Sequence, residues 1–567
     1  MTELTCRAAT VELRAAESTR GGRIEACDVG RQAGGRQILH PLSLAVEPGE
    51  LVAIAGGSGA GKTTLLEILA GLQPPSAGEV RHDGVARRGG ADAKVGFVPQ
   101  DDIIHLELPL RRTLRYAALL RLPARTSVAE AERIVEETMV DLDLADRADV
   151  PVRALSGGQR KRASLAVELL TRPRIFFLDE PTSGLDPSTA AEVMRLLRRL
   201  SQRGVTIVLT THEPAGIDQC DRVVFLARDG HLAFTGSPGE ARRYFGVHNL
   251  TEVYDRLAGE HTPRIWAQRF AKTQVPPKPS TQQAVSAARS GVNRTGGFRQ
   301  WWLLTRRNVD VLFRNRLTLA ILLGSPVLVT AMMATLFRRG AFNPGDAAGV
   351  GPAQIVYWIA FDGFFFGLTY GLLQIVGEMA VFRRERLAGL RVGAYVASKV
   401  TALLPVLAGV SAVLLVVLRA LGRLPALGWH VYALLFGTTV LEAISALALG
   451  LFASAAVSNA AQAALALPML CFPQVLFGGA IVPVDQMAAP GRLMSLVLSG
   501  RHAFDALGRE LRLDRYTSTV PAMAAYRETF QGGNAVNLTA LAVLAVVLTL
   551  ATAWLLDRRS RPGASTR

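Results

Sequence analysis

The sequence predicts two parts of different fold class, an α/β domain followed by an all-α domain of six membrane-spanning helices. A short apolar run at 51–55 leads into a glycine-rich loop, and a segment of helical periodicity follows. In the second half, six apolar runs are long enough, or nearly so, to cross a hydrocarbon core of about 30 Å. The 567 residues are too many for one hydrophobic core.

The basic residues are unevenly distributed. Residues 1–260 carry 33 Lys and Arg against 35 Asp and Glu, whereas the remaining residues carry 30 against 12. Eleven basic residues and one acidic residue lie between 261 and 316, directly before the first apolar run. A basic stretch in that place suits an anionic membrane surface. The sequence therefore predicts contact with membrane lipids and no nucleic-acid partner.

The glycine-rich loop, IAGGSGAGKTTL at 54–65, matches the phosphate-binding pattern G-x-x-x-x-G-K-[ST]. In this motif backbone N–H groups surround the phosphates, the lysine reaches the terminal phosphates, and the hydroxyl binds Mg²⁺. The flanking strand and helix are the context that the motif needs. We predict that ATP and Mg²⁺ bind here, at Gly56, Gly57, Ser58, Gly59, Ala60, Gly61, Lys62, Thr63 and Thr64.

Carboxylates and polar side chains follow the other predicted strands. RIFFLDEP is an apolar strand that ends in Asp179, predicted to bind Mg²⁺ with Thr63 and Gln100, and Glu180, predicted to polarise the attacking water. The alternative is an acidic turn without function. His212 ends a further strand and is predicted to sense the terminal phosphate, although a lone histidine is usually structural. Glu180, His212 and Gln100 are the predicted catalytic residues.

A second helix start suited to anions is LSGGQ at 155–159. Phosphate loop, Gln100, LSGGQ, Asp179-Glu180, SGLD and His212 follow one another in an order that resembles an ABC-type ATPase domain over about 24–245. The resemblance implies that two chains dimerise head to tail, and that LSGGQ of one chain binds ATP held by the phosphate loop of the other. The partner is expected to be an identical chain, with a heterodimer as the alternative. The nucleotide-binding residues then also include Ser156, Gly157, Gly158, Gln159 and Asp186.

The chain departs from that family's pattern in two places. The family stacks an aromatic side chain on adenine, at a position that falls near Ala33, but no Phe, Tyr or Trp lies between Ile24 and Val46. An Asn-Pro-x-Asp-Phe stretch that follows the ATPase core in one branch of that family has only a weak counterpart in VHNLTEVYDRL at 247–257. Base stacking is therefore not predicted, and the connection to the membrane part is expected to differ.

The predicted domains follow from composition and periodicity. They are an N-terminal extension (1–23), the ATP-binding domain (24–260), a Pro-, Ser- and Gln-rich linker (261–297), an interfacial helix (298–316) and the membrane domain (317–560). A plain solvated helix is the alternative for 298–316. The predicted spans are 317–337, 352–377, 396–418, 431–457, 461–482 and 538–556, with an outer loop at 485–535.

The number of spans and the arginines fix the expected orientation. Six is even, so both termini of this multi-pass protein of the cell membrane are predicted to be cytosolic. Arg383, Arg384 and Arg386 after the second run agree with the positive-inside rule, whereas Arg338 and Arg339 after the first do not.

The order of the two parts, together with FRRERLAGLRVGAYVASK and FPQVLFGGAIVPV, resembles the White-type G subfamily of ABC half-transporters. This resemblance implies an ATP hydrolase that exports amphipathic or lipid-like cargo across the cytoplasmic membrane. The alternative is a mechanical ABC ATPase that regulates an envelope partner and moves no molecule. Asp362 and Glu442 lie within apolar runs, where a functional role and a helix-to-helix hydrogen bond are equally expected.

Overall fold

The computed structural model describes residues 21–87, 95–214, 216–259, 262–273, 296–343 and 350–560. They form two compact units, of which the first comprises the residues up to 296 together with 384–390, and the second comprises 297–383 and 391–560. The predicted N-terminal extension up to residue 20, and the predicted linker from 274 to 295, lie outside the described residues.

The first unit is an α/β structure, as predicted. Its described strands are β1 (Ile24–Ala33), β2 (Arg36–Val46), β3 (Leu51–Gly56), β4 (Ala77–His82), β5 (Val85–Arg87), β6 (Val95–Val98), β7 (Ile175–Leu178), β8 (Thr206–Thr211), β9 (Arg222–Ala227) and β10 (His231–Gly236). Its described α-helices are α1 (Lys62–Leu69), α2 (Leu110–Arg121), α3 (Val128–Asp141), α4 (Gly157–Leu169), α5 (Pro187–Gln202), α6 (Pro238–Phe245), α7 (Glu252–Gly259) and α8 (Pro263–Ala271).

The larger sheet positions the predicted site. Its strand order is β10-β9-β3-β8-β7-β6, with every neighbouring pair parallel except β10 and β9. Strands β3, β7 and β8 are buried at every residue, which explains the uninterrupted apolar sequences of β3 and β7 and the apolar centre of β8. Because parallel strands end at the same edge, the segments that follow β3, β6, β7 and β8 meet there. A smaller antiparallel sheet has the order β2-β1-β4-β5.

Helix α8 lies inside the segment that the sequence predicts to be a linker. Its Trp266 and Phe270, four residues apart, are buried against Tyr244 and Phe245 of α6. The predicted linker therefore begins with a packed helix, because two aromatic anchors outweigh a composition that is typical of a linker.

The second unit is helical. Its described α-helices include α9 (Gly297–Arg314), α10 (Arg316–Leu336), α11 (Gly351–Leu372), α12 (Met379–Leu387, which continues into the first unit at Arg384), α13 (Val392–Ala420), α14 (Trp429–Ala456), α15 (Ala460–Phe477), α16 (Ala489–Ser495), α17 (Ser499–Glu510), α18 (Asp514–Thr519) and α19 (Ala535–Arg559). Among the described residues six helical segments are long and apolar enough to span a membrane, which confirms the prediction of six spans. The fifth ends at Phe477 rather than at 482, where Gly478 and Gly479 follow.

Glycines bring two of these helices into backbone contact. A Cβ atom at Gly367 of α11 would lie 2.2 Å from the carbonyl oxygen of Ala443 in α14, and one at Gly371 would lie 2.7 Å from that of Leu447. Spacing of four residues places both glycines on one helix face, which is the small-residue pattern of close packing between membrane helices. Larger side chains at these positions are incompatible with the α11–α14 contact.

The predicted outer loop at 485–535 contains a helix that packs among the spans. Ala503, Phe504 and Leu507 of α17 are fully buried, and α17 contacts α11, α14 and α19. The hydroxyl of Ser499 in α17 donates to Oε1 of Glu442 in α14 over 2.9 Å. Glu442 thus makes the interhelical hydrogen bond that was one of its two predicted roles.

Candidate functional site

The phosphate loop joins the end of β3 to the start of α1. A Cβ atom at Gly56, where φ is +156°, would lie 2.5 Å from the carbonyl oxygen of Leu226, so only glycine fits the first turn. Nζ of Lys62 donates to the carbonyl oxygens of Gly56 (2.9 Å) and Gly57 (3.1 Å). Burial lowers the pKa of Lys62, and the carboxylates of Glu180 and Asp179 oppose that shift.

Glu180 is the point at which the predicted catalytic side chains meet. Nε2 of Gln100, which follows β6, donates to Oε2 of Glu180 over 3.2 Å. Nδ1 of His212, which follows β8, lies 2.9 Å from the same oxygen. Nζ of Lys62 lies 4.0 Å from the other carboxylate oxygen. Residues from the ends of β6 and β8 and from the phosphate loop therefore surround one carboxylate, which itself follows β7.

Asp179 lies beside the hydroxyl of the phosphate loop. Its Oδ1 accepts a hydrogen bond from Oγ1 of Thr63 over 3.1 Å and another from Oγ1 of Thr210 over 2.6 Å. The same threonine oxygen accepts the backbone N–H of Glu180 over 2.9 Å, where Glu180 has a φ of +44°. Sequence reasoning missed Thr210, although two adjacent threonines at the end of an apolar strand are a readable signal.

The LSGGQ motif forms the start of α4. Oγ of Ser156 accepts the backbone N–H of Gln159 over 3.3 Å, and Oε1 of Gln159 accepts the N–H of Ser156 over 3.1 Å, which is a reciprocal capping box. Asp186 caps α5, because its Oδ1 accepts the backbone N–H groups of Ser188 and Thr189, both over 3.1 Å. Hydrogen bonds from these two residues lower its pKa. The capping bonds are internal to each helix start, so they do not join either motif to the phosphate loop.

Comparison with known proteins identifies the family. The family model of ABC transporters matches residues 39–183, and that of ABC-2 type transporters matches residues 299–508. The ABC transporter G family member 7 of Arabidopsis thaliana is 30% identical over 518 residues, which cover 83% of this chain and 70% of the plant protein. The chain belongs to the G family of ABC transporters.

Two further relatives support this assignment. The ABC transporter ATP-binding/permease protein Rv1747 of Mycobacterium tuberculosis is 33% identical over 485 residues, which are 83% of this chain and 56% of that protein. The broad substrate specificity ATP-binding cassette transporter ABCG2 of Bos taurus is 40% identical over 220 residues, covering 37% of this chain and 33% of the bovine protein. The chain thus spans about half the length of the mycobacterial relative.

Family membership establishes the coarse function of each part. The first unit is the nucleotide-binding ATPase domain of a half-transporter, and the membrane-spanning domain follows it, as the resemblance implied. The protein is a multi-pass membrane protein.

The weak counterpart of the Asn-Pro-x-Asp-Phe stretch has a structural explanation. The backbone N–H of Thr251 donates to Oδ1 of Asn249 over 3.1 Å, and Oε1 of Glu252 accepts the N–H of Asn249 over 3.3 Å. These bonds start α7 in the manner of a capping box. Asn249 and Glu252 therefore cap the start of α7, in a turn that contains no proline.

A buried ion cluster within the ATPase unit involves the segment 384–390. Glu168 of α4 accepts from Nε of Arg384 over 2.8 Å and from Nη1 of Arg121 over 2.7 Å. Burial would raise the pKa of Glu168, but the charges and hydrogen bonds of both arginines outweigh it and lower the pKa to about 2. Nη1 of Arg384 also donates to the carbonyl oxygen of Ile103, three residues after Gln100.

The residues beside the phosphate loop fit Mg²⁺. The ion prefers oxygen ligands and is usually held through one or two carboxylates, substrate phosphates and waters. Oγ1 of Thr63 and Oδ1 of Asp179 are such oxygens and lie 3.1 Å apart. In the described ranges no group of three or more His, Cys, Asp and Glu side chains is placed to hold a metal by itself.

Proposed function

We propose that this G-family transporter is an ATP-driven exporter that works as a dimer, with ATP bound between the phosphate loop of one chain and the LSGGQ motif of the other. The observation that carries the proposal is the convergence of Gln100 and His212 on one oxygen of Glu180, beside Lys62 of the phosphate loop. Side chains from three strand ends are arranged there as a hydrolytic site needs them.

In the proposed mechanism Glu180 accepts a proton from the attacking water as a general base. Gln100 and His212 hold the carboxylate in place through Oε2, which leaves Oε1 for the water. Lys62 neutralises charge on the terminal phosphates. When bound, Mg²⁺ supplies charge neutralisation at the β- and γ-phosphates, and Thr63 and Asp179, with Gln100, are the residues that would hold it.

The proposed dimer follows from the separation of the two motifs. Gly157 and Gly158 lie in the first turn of α4, where backbone N–H groups have no partner within the helix and the helix dipole is positive, which suits a phosphate. A Cβ atom at Gly157 would make only an ordinary 3.5 Å contact with Leu185, so this position is open to a ligand from outside the unit. Asp186 lies at the start of the neighbouring α5 and is proposed to act at the same interface.

Complementation between two inactive variants tests the shared site. Lys62→Ala removes the phosphate-loop lysine, and Gly157→Asp places a negative charge at the LSGGQ helix start without steric conflict. Each variant alone is expected to be inactive, whereas dimers that contain one chain of each kind hold one complete composite site and regain up to about half of the wild-type turnover. The measurement is ATPase activity of tandem-affinity-purified mixed dimers. Mixed dimers as inactive as the parents contradict the shared site.

The proposed cargo is amphipathic or lipid-like and moves outward across the cytoplasmic membrane, with both termini in the cytosol. Support comes from the packed interior of the membrane unit, where Tyr357, Phe364, Phe366 and Tyr370 of α11 are buried among apolar neighbours. A membrane interior of this kind suits apolar cargo better than ions.

Transport in proteoliposomes of bacterial envelope lipids tests the proposed cargo class. Fluorescent phospholipids and lipophilic cations are expected to be moved in an ATP-dependent manner, and one class is expected to raise ATP turnover by about fivefold or more. Glu180→Gln proteoliposomes are the control for passive movement. Turnover that responds to no compound and only to an added envelope protein would favour the mechanical regulator instead.

A further inference from the structure

A buried lysine connects the LSGGQ helix to the loop that carries Gln100. Lys161 lies on α4, and only 4% of it is exposed. Its Nζ donates to the carbonyl oxygen of Gln100 over 2.8 Å and lies 3.8 Å from Oδ1 of Asp102. Burying an ammonium group costs free energy unless the group is hydrogen-bonded and paired. The position of Lys161 is therefore tied to these partners, unlike that of a lysine at the surface.

The hydrogen bond from Lys161 holds the backbone of Gln100, the residue whose side chain contacts Glu180 in the candidate site. The main-chain oxygen of Gln100 binds Lys161, while its side-chain amide donates to Oε2 of Glu180. The loop is also held at Ile103 by Arg384, which donates in addition to the carbonyl oxygen of Ser164 on α4. Movement of α4 therefore changes the position of Gln100 relative to Glu180.

Helix α4 begins at the LSGGQ motif, which is predicted to face the partner chain. Lys161 is five residues beyond Ser156, which is about 7.5 Å along the axis of an α-helix. Helix α4 carries no proline and packs with most of its residues buried, so that displacement of its first turn is carried to Lys161.

We propose that Lys161 is a positioning residue that makes the placement of Gln100 in one ATP site depend on the LSGGQ helix of the same chain. The inference rests on the proposed dimer, in which that helix start binds the nucleotide of the partner subunit. Occupancy of one ATP site then sets Gln100 in the other, and ATP hydrolysis is positively cooperative.

The test is the ATP dependence of turnover for the full-length protein in lipid nanodiscs. In the wild type a Hill coefficient above 1 is expected. In Lys161→Met the coefficient is expected to fall to about 1, and kcat to fall by about tenfold to a hundredfold, as for a displaced catalytic group. Binding of a fluorescent ATP analogue is expected to stay within about twofold, because the phosphate loop is untouched. Lys161→Arg keeps the charge and is expected to restore most of kcat and the cooperativity.

Arg162→Met is the matched control. Arg162 is the next residue of α4 but points elsewhere, with Nη1 3.5 Å from the carbonyl oxygen of Leu142, and its loss is expected to leave the Hill coefficient unchanged. A double-mutant cycle with Gln100→Ala separates positioning from folding, since Lys161→Met is expected to add little in that background. Lys161→Gln serves in the same cycle if the methionine variant does not assemble.

The experiment distinguishes failure of this inference from failure of the proposed function. Lys161→Met with wild-type kcat and cooperativity, additive effects in the cycle, or a wild type with a Hill coefficient of 1 would each overturn the role of Lys161. If Glu180→Gln is inactive in the same preparation, the hydrolytic site stands and only this inference fails. If Glu180→Gln turns over normally, the proposed site itself is wrong.

Discussion

Replacing Glu180 with glutamine is expected to lower ATP turnover by about 10²- to 10⁴-fold, the usual contribution of a general base. The amide cannot accept a proton from water at neutral pH, yet it keeps the size of the side chain and its place between Gln100 and His212. ATP binding is expected to persist, because the contacts of Lys62 with the phosphate loop do not involve Glu180. Single-turnover hydrolysis and nucleotide binding, measured together in nanodiscs, check both expectations.

The matched control for this prediction is Glu213→Gln. Glu213 lies one residue after His212, and in its contacts with Thr211 it uses backbone atoms rather than its carboxylate. The ATP turnover of the Glu213→Gln variant is expected to remain within about twofold of that of the wild type, as for a surface substitution. Equal losses of ATP turnover in Glu180→Gln and Glu213→Gln would mean that turnover falls because a negative charge is removed, and not because a general base is lost.

Replacing Arg384 with methionine is expected to separate ATP turnover from transport. The segment 384–390 lies in the chain between the second and third spans but packs within the ATPase unit, where Arg384 binds Glu168, Ser164 and Ile103. Methionine removes these bonds and leaves Glu168 with Arg121 alone. Breaking a buried pair costs up to about 3–5 kcal/mol, so the segment is expected to detach while the ATPase unit stays folded.

Cargo-stimulated turnover and transport in proteoliposomes measure the effect. Stimulation by cargo is expected to fall by about fivefold or more, the range of a typical coupling free energy, and to fall further than basal turnover, because Lys161 still holds the backbone of Gln100. Arg383→Met is the control, because the neighbouring arginine is exposed. Transport that survives in Arg384→Met at the wild-type level would show that coupling does not pass through this cluster.

Sequence patterns predict the proximity of some side chains in the candidate site but not of others. The phosphate loop, Asp179, Glu180, Gln100 and His212 each follow a recognisable strand, and strands of one parallel sheet end at a common edge. Their proximity was therefore predictable, although their catalytic roles stay predictions.

The contacts of other residues depend on the tertiary fold. Lys161 and Gln100 are 61 positions apart, and Arg384 and Glu168 are 216 apart. No local period connects such pairs, since each bond forms only after helices from distant parts of the chain have packed.

The fold shows the same division. Six spans follow from length and hydropathy alone, because a bilayer core imposes both. The burial of α17 among the spans was not predicted, because its interspersed charges are typical of an exposed outer loop. One of those charges, Arg509, has its partners within the protein, because its Nε donates to the carbonyl oxygen of Thr529 over 3.1 Å.

The glycines of α11 have a mechanical consequence. Where the backbones of α11 and α14 touch at Gly367 and Gly371, no flexible side chains lie between them to repack, so these two helices move as one rigid body. We expect rearrangements of the membrane unit to occur at looser contacts. In the first, fifth and sixth spans only 22%, 11% and 17% of the most apolar stretch is buried, which leaves much of these helices outside the packed interior. These peripheral helices are therefore where we expect the membrane unit to change shape, around a close-packed central pair.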